Sequence, residues 1–567
     1  MCRSEEKEIV SGVVIIVGVV TLGLIVFGYL KFQHYSQQKL IKCLKLQWGK
    51  ESTKEYNYND FQNIKTYWAL KSKMDMQSGG YIDEVTWNDL DMDEVFLKIN
   101  HTESIIGENY LYNQLHCLRF DISELKASEK LIDYMDKNEE TRLSNQMALN
   151  KFGKGVNNRI PTYLFRIDEK SSYYKPLYSV IGVLPLISLV SLLGNVKIGL
   201  ILLGITVGVN AYIHLKHAHN LAYEMEVIRD IHSMLKVAKK ISQIKDEELK
   251  LVCNTLEENY LKFKSILNIE GRFFLSTNTD VGILQEYAGI ITLSQIRIYH
   301  KYLTLLKKEV KALQNIYETL GRVEASIAIA SYRRSVEYWS TPIYTGAHTI
   351  EVEDMYHPLI IEPVPNSVKL TKDAIITGSN ASGKSTFVKS LAINGILAQS
   401  IHTVLATKFI APLSYYMTSM AISDSISASE SYYIAEIRSL KRIIDTINKY
   451  PFCVCFIDEI LKGTNTIERI AASASILKHL SLAKCLCLVA SHDIELTQMM
   501  EDSYENYHFC EIVDDSEIWF DYKIHKGPST TRNAIKLLEL MKYNESIIYD
   551  ANRLAVNFTD NQLWLKP

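Results

Sequence analysis

Ala374-Ile375-Ile376-Thr377-Gly378-Ser379-Asn380-Ala381-Ser382-Gly383-Lys384-Ser385-Thr386 reads as an apolar strand, a glycine-rich turn and the start of a helix. From Gly378 to Thr386 it fits G-x-x-x-x-G-K-[ST], and the strand, turn and helix around it supply the context that gives the pattern its meaning. The glycines let the backbone curl so that its N–H groups, and the N-terminus of the following helix, face a bound phosphate chain. Gly378, Ser379, Asn380, Ala381, Ser382, Gly383, Lys384, Ser385 and Thr386 are therefore candidate ATP contacts. Lys384 is placed to reach the β- and γ-phosphates, and the Ser385 hydroxyl to ligate Mg²⁺.

Two apolar runs further on extend the reading. Cys453-Val454-Cys455-Phe456-Ile457 and Cys485-Leu486-Cys487-Leu488-Val489-Ala490 are continuous, as expected of parallel strands buried on both faces. The first ends in Asp458-Glu459. Two carboxylates after a buried strand are costly unless used: Asp458 can hold the Mg²⁺ shell, and Glu459 can polarise a water for in-line attack. The second ends in Ser491-His492-Asp493, which puts His492 at a sheet end, within reach of the γ-phosphate or the attacking water. A lone strand-end histidine is more often a structural hydrogen-bonder, so that role leans on its neighbours. The cysteine pairs Cys453/Cys455 and Cys485/Cys487 lack the turn of C-x-x-C and read as buried thiols, not zinc ligands. Residues 343–567 are thus predicted to form an α/β P-loop NTPase domain with a central, mostly parallel sheet.

Upstream the texture is helical. Leu303, Leu306, Val310, Leu313, Ile316, Leu320 and Val323 recur at spacings of three and four, one instance of the pattern that predicts an all-α domain over 96–342. Two apolar blocks stand apart from it. Ile9 to Leu30 carries no charge over 22 residues, and Lys31, Lys39, Lys42, Lys45 and Lys50 follow it, so the positive-inside rule puts residue 31 onward in the cytoplasm. Leu177 to Ile213, broken at Gly194-Asn195-Val196-Lys197, reads as a membrane hairpin; a buried helical hairpin is the alternative, since Pro185 and the short halves weaken a span. The expected organisation is an anchor at 1–30, a juxtamembrane region at 31–95, a helical domain at 96–342 interrupted by the hairpin 177–213, and the nucleotide domain at 343–567. That is a multi-pass protein of the cytoplasmic membrane with its nucleotide domain facing the cytoplasm. A net charge of -3 excludes the bulk basic field of a nucleic-acid coat, and nine scattered cysteines fit reduced thiols.

The series Thr377-Gly378-Ser379-Asn380, Ile457-Asp458-Glu459-Ile460-Leu461-Lys462-Gly463-Thr464-Asn465-Thr466 and Ser491-His492-Asp493-Ile494-Glu495-Leu496-Thr497 resembles the MutS family ATPase in order and spacing. His357-Pro358 and Val364-Pro365-Asn366 are similar to the beginning of that family's domain. Gly107 to Gly153 and Tyr317 to Pro342 resemble its helical core, or lever. The resemblance implies ATP and Mg²⁺ as ligands and a homodimer with composite sites. Ser431-Tyr432-Tyr433-Ile434-Ala435-Glu436 looks like the family's signature, in which Ser431 would reach the partner's nucleotide, and Tyr522 falls where a residue near the adenine is implied. It also implies a DNA-linked task. Departures are visible: Lys462 replaces the family's Arg, Glu468-Arg469 replaces Asp-Gly, and no stretch resembles the mismatch-reading domain. The single Phe-x-Glu, Phe509-Cys510-Glu511, lies inside the ATPase region.

The expected function is therefore ATP hydrolysis by a membrane-tethered, dimeric MutS-like protein coupled to DNA, with direct mismatch reading set aside. One alternative is a nucleotide-switched membrane scaffold for a protein or lipid partner. Another is an ABC-type transport ATPase, which the absence of an L-S-G-G-Q run disfavours.

Overall fold

Strand β4 (Asp373–Thr377) is buried along its whole length, as a strand covered on both faces must be. In the computed structural model, which describes residues 2–52, 54–75, 80–154, 159–170, 176–267, 287–420, 432–462, 464–513, 518–529 and 534–561, β4 sits inside a six-stranded sheet. Its companions are β6 (Tyr415–Ser419), β7 (Cys453–Asp458), β8 (Cys485–Ala490), β9 (Tyr504–Val513) and β10 (Ile518–Lys526), in the order β10-β9-β4-β8-β7-β6. Every pairing is parallel except that of β10 with β9. The register Ile376↔Ala490 and Asp458↔Ala490 brings the ends of β4, β7 and β8 level. A second sheet, β1 (Ile343–Tyr344), β5 (Lys408–Ala411), β2 (Ile350–Met355) and β3 (Asn366–Leu370), runs in the order β1-β5-β2-β3.

The chain packs as two compact units: one of residues 71–100, 111–131 and 336–567, the other of 1–70, 101–110 and 132–335. This partition is not the linear one expected from sequence. Short helices upstream join the sheet unit because β6 is an edge strand whose N–H groups need partners. The Thr418 amide donates to Thr86 Oγ1 at 3.2 Å, while Asp89 accepts from the Thr418 hydroxyl at 2.6 Å and from the Met420 amide at 3.0 Å.

The other unit is helical. Its core gathers Ile228, Ile231, Met234, Leu235 and Ala238 of the helix Val196–Ser242 with Tyr299, Tyr302, Leu303, Leu313, Ile316 and Leu320. The expected apolar stripe is buried, but two helices carry it, Ser294–Lys308 and Val310–Ser335. The helix Val196–Ser242 changes character along its length: Val196, Ile198, Leu200, Ile201 and Ile205 are exposed, whereas the C-terminal half is core. It follows the helix Pro176–Ser191 through a tight turn, where the Asn195 side chain accepts from the amides of Lys197 and Ile198.

Among the described residues one stretch, Val196–Ala218, is long and apolar enough to cross a membrane, with mean hydropathy 1.9 and only 17% of its span buried. Leu177–Ser191 is apolar but shorter. The run Ile9–Leu30 lies within the helix Cys2–Gln47, but the side chains of residues 1–19 are outside the described set. Of the two halves of the expected hairpin, the second alone is thus of spanning length among the described residues.

Candidate functional site

The loop after β4 is built by two glycines that no other residue could replace without strain. Gly378 has φ +137 and a Cβ there would lie 2.6 Å from the Phe509 carbonyl oxygen; Gly383 has φ +103 and caps the helix Lys384–Ile401. With no side-chain cap on that helix, its first N–H groups point into the loop, the arrangement that binds anions. Ser382 is buried and its hydroxyl donates to the Ser379 carbonyl at 2.7 Å, which tightens the curl around Asn380 and Ala381. The Asn380 side chain lies outside the described residues.

Lys384 is fully buried, and its ammonium donates to the carbonyls of Gly378 at 2.6 Å and Ser379 at 2.9 Å. Burial pushes its pKa down to about 8, while the carboxylates of Asp458, Glu459 and Glu511 pull the other way. The loop lysine and the carboxylates at the end of β7 therefore share one electrostatic environment. Ser385 follows on the first helical turn, half-buried, and Thr386 is exposed.

Asp458 ends β7 with its Oδ1 buried and without a hydrogen-bond partner. A buried carboxylate oxygen left bare is costly, and a hard cation is the partner its chemistry fits. Asp458 with the Ser385 hydroxyl thus offers an all-oxygen donor set suited to Mg²⁺.

Glu459 adopts φ +59, a backbone conformation uncommon outside glycine, fixed by its amide donating to the Ala490 carbonyl at 2.9 Å. That turn aims its carboxylate at two nitrogen groups: His492 Nε2 stands 3.0 Å from Oε1 and the Lys462 ammonium, through Nζ, 2.8 Å from Oε2. Burial raises the Glu459 pKa, but the His492 and Lys462 contacts outweigh it and bring it down to about 2. Lys462 is itself oriented, since its amide donates to Glu436 Oε1 at 3.2 Å. Beside His492, Asp493 accepts two hydrogen bonds from Arg469, at 3.1 and 2.6 Å.

A cavity of about 380 Å³ opens beside the loop, lined among others by His357, Ile360, Gly383, Thr386, Phe387 and Tyr522. Tyr522 has φ +53 and sits where the β9–β10 register slips between Phe520 and Ile524; its ring is 3.3 Å from the Cβ position of Gly383. Asn366 holds this turn, donating to the Tyr522 carbonyl at 2.9 Å and accepting from the Ile524 amide at 2.8 Å. Burial drives the His357 pKa down to about 4, so it presents a neutral ring to the cavity.

Residues 374–559 match MutS domain V. A stretch of 257 residues, 43% of this chain, is 29% identical to the DNA mismatch repair protein MutS of Persephonella marina, and spans 29% of that protein's length. Together these matches support a MutS-like, ATP-binding domain.

Within the MutS-like domain, the structure brings together the phosphate loop, Asp458, Glu459, His492 and Tyr522, all of them expected from sequence. Ser431 lies outside the described residues, as does Gly463. Lys462 and Arg469, departures from the family pattern in the region that the resemblance turns toward a partner, contact Glu459 and Asp493. The clamp made by Asn366 was missed, although Val364-Pro365-Asn366 marked the place.

Proposed function

We propose that the chain is a membrane-tethered, MutS-like ATPase that hydrolyses ATP in composite sites of a homodimer, in a process coupled to DNA. The observation that carries this reading is the ionised Glu459 carboxylate held between His492 and Lys462 at the sheet edge that also bears the phosphate loop. The curled loop and the uncapped helix N-terminus bind the phosphates, Lys384 leaves its own loop carbonyls for phosphate oxygens, and the cavity at Tyr522 receives the base. Asp458 and Ser385 would hold Mg²⁺, which when bound neutralises charge on the phosphates. Glu459 orients a water and accepts its proton, and His492 fixes the carboxylate and meets the γ-phosphate side. Ser431 acts on the partner subunit's nucleotide.

The exposed apolar face of Leu177–Ser191 and Val196–Ala218 supports the tether, because an apolar surface of this extent is unusual in water. The run Ile9–Leu30 serves as a further anchor, with the ATPase domain on the cytoplasmic side. DNA coupling rests on likeness to the MutS relative. The same exposed hairpin favours a second reading, a nucleotide-switched scaffold for a membrane partner. Purified full-length protein in detergent should hydrolyse ATP and respond to duplex, mismatched or branched DNA in a salt-dependent way. Hydrolysis without response to any DNA selects the scaffold; hydrolysis unchanged by Glu459→Gln refutes the catalytic assignment.

A further inference from the structure

Away from the phosphate loop, three side chains with metal-ligating atoms converge on the β9–β10 hairpin: Cys510 from β9, and Asp521 and His525 from β10. Cys510 Sγ lies 3.8 Å from Asp521 Oδ2, and His525 Nε2 lies 2.8 Å from that same oxygen. All three ligand atoms fall within 4.8 Å of one another. Their meeting is a product of the irregular turn. In an unbroken strand, residues four apart share a face but stand roughly 13 Å apart. Here the register slips between Phe520 and Ile524, Tyr522 takes φ +53, and the chain contracts until Asp521 and His525 touch. The Asp521 carboxylate also accepts from the Lys523 amide at 3.0 Å, which fixes its direction.

We propose that Cys510, Asp521 and His525 form a site for a divalent cation of the zinc class, with a fourth position open to water. A sulfur, a nitrogen and an oxygen donor together suit Zn²⁺ or Co²⁺, whereas Mg²⁺ takes oxygen ligands, so this site is chemically distinct from the one at Ser385 and Asp458. A tetrahedral centre with a metal–sulfur bond of about 2.3 Å and metal–nitrogen and metal–oxygen bonds of about 2.0 Å needs ligand atoms roughly 3.3–3.5 Å apart. The observed 3.8 and 2.8 Å bracket that range, so small side-chain rotations suffice. Binding converts the thiol to a thiolate and releases its proton to solvent. The cation would pin the turn that carries Tyr522 from one side, as Asn366 does from the other.

The test uses the full chain in detergent, stripped with a chelator and titrated with Co²⁺, whose thiolate complexes absorb in the near ultraviolet through sulfur-to-metal charge transfer. One equivalent of Co²⁺ should produce that band, and Zn²⁺ should displace it. Cys510→Ser should abolish it, and His525→Ala should weaken Co²⁺ binding at least about tenfold. Cys43→Ser, at an exposed thiol elsewhere, should leave it unchanged. Absence of the band in the natural sequence, or its survival in both Cys510→Ser and His525→Ala, overturns the proposal. Because the readout is optical, it stands or falls separately from the ATPase assignment.

Discussion

His492 Nε2 lies 3.0 Å from Glu459 Oε1, while the other oxygen of that carboxylate is taken by Lys462 Nζ at 2.8 Å. The acid is thereby kept ionised and aimed. From this arrangement and its surroundings come four expectations.

Glu459→Gln preserves shape and one acceptor oxygen but removes the base. Single-turnover phosphate release should fall by about 10²–10⁴-fold while binding of a fluorescent ATP analogue changes little. Release within twofold of the unsubstituted protein would show that another group activates the water.

The low Glu459 pKa depends on its two donors, since burial alone pushes the other way. His492→Ala or Lys462→Ala should raise it from about 2 toward the ordinary carboxylate range or beyond. The acid limb of the kcat–pH profile, where the base becomes protonated, then moves to higher pH. A limb that stays in place in both variants would mean that neither contact tunes the carboxylate.

Lys384 attracts phosphate only while charged, and burial brings its pKa down to about 8. Nucleotide affinity, followed by equilibrium fluorescence, should therefore weaken as pH rises through about 8. Lys384→Ala should lower affinity at least about tenfold at neutral pH and abolish that pH dependence. A flat profile in the unsubstituted protein would contradict the assignment.

Asp373, buried at the start of β4, accepts from the Cys487 amide at 2.7 Å, and burial raises its pKa to about 6. A carboxyl raised on folding contributes its full stability below its unfolded pKa, near 4, and loses it as pH climbs through about 6. Asp373→Asn keeps an acceptor for the amide without the charge. Chemical denaturation should find the variant more stable at pH 7.5 by on the order of 2 kcal/mol and little changed at pH 4. Equal differences at both pH values would rule out the titration.

The candidate site was legible because its signals are local. Gly378, Gly383, Asp458, Glu459 and His492 stand at the ends of uninterrupted apolar strands, and a parallel sheet gathers such ends along one edge. What escaped is non-local. The covering of β6 by Thr86 and Asp89 joins positions more than 300 residues apart, and no periodicity records such a contact. Asn366 and Tyr522 meet through a slipped register, which alternation of residue types cannot show. Arg469 and Asp493 were visible as individual residues, but their pairing depends on the turn after β8. In the helical unit the stripe from Leu303 to Val323 gave the buried face correctly, and hid the break between Lys308 and Val310 because an apolar stripe continues across it.

The helix Val196–Ser242 has no interruption between its exposed apolar half and the half that anchors the helical core. At about 1.5 Å per residue such a rod is roughly 70 Å long. Whatever grips its apolar end also holds the core end on the same axis: a tilt of about 10° at one end sweeps the other through roughly 12 Å. Mechanically, the exposed apolar end and the buried end are a single tiller, and neither can turn without the other.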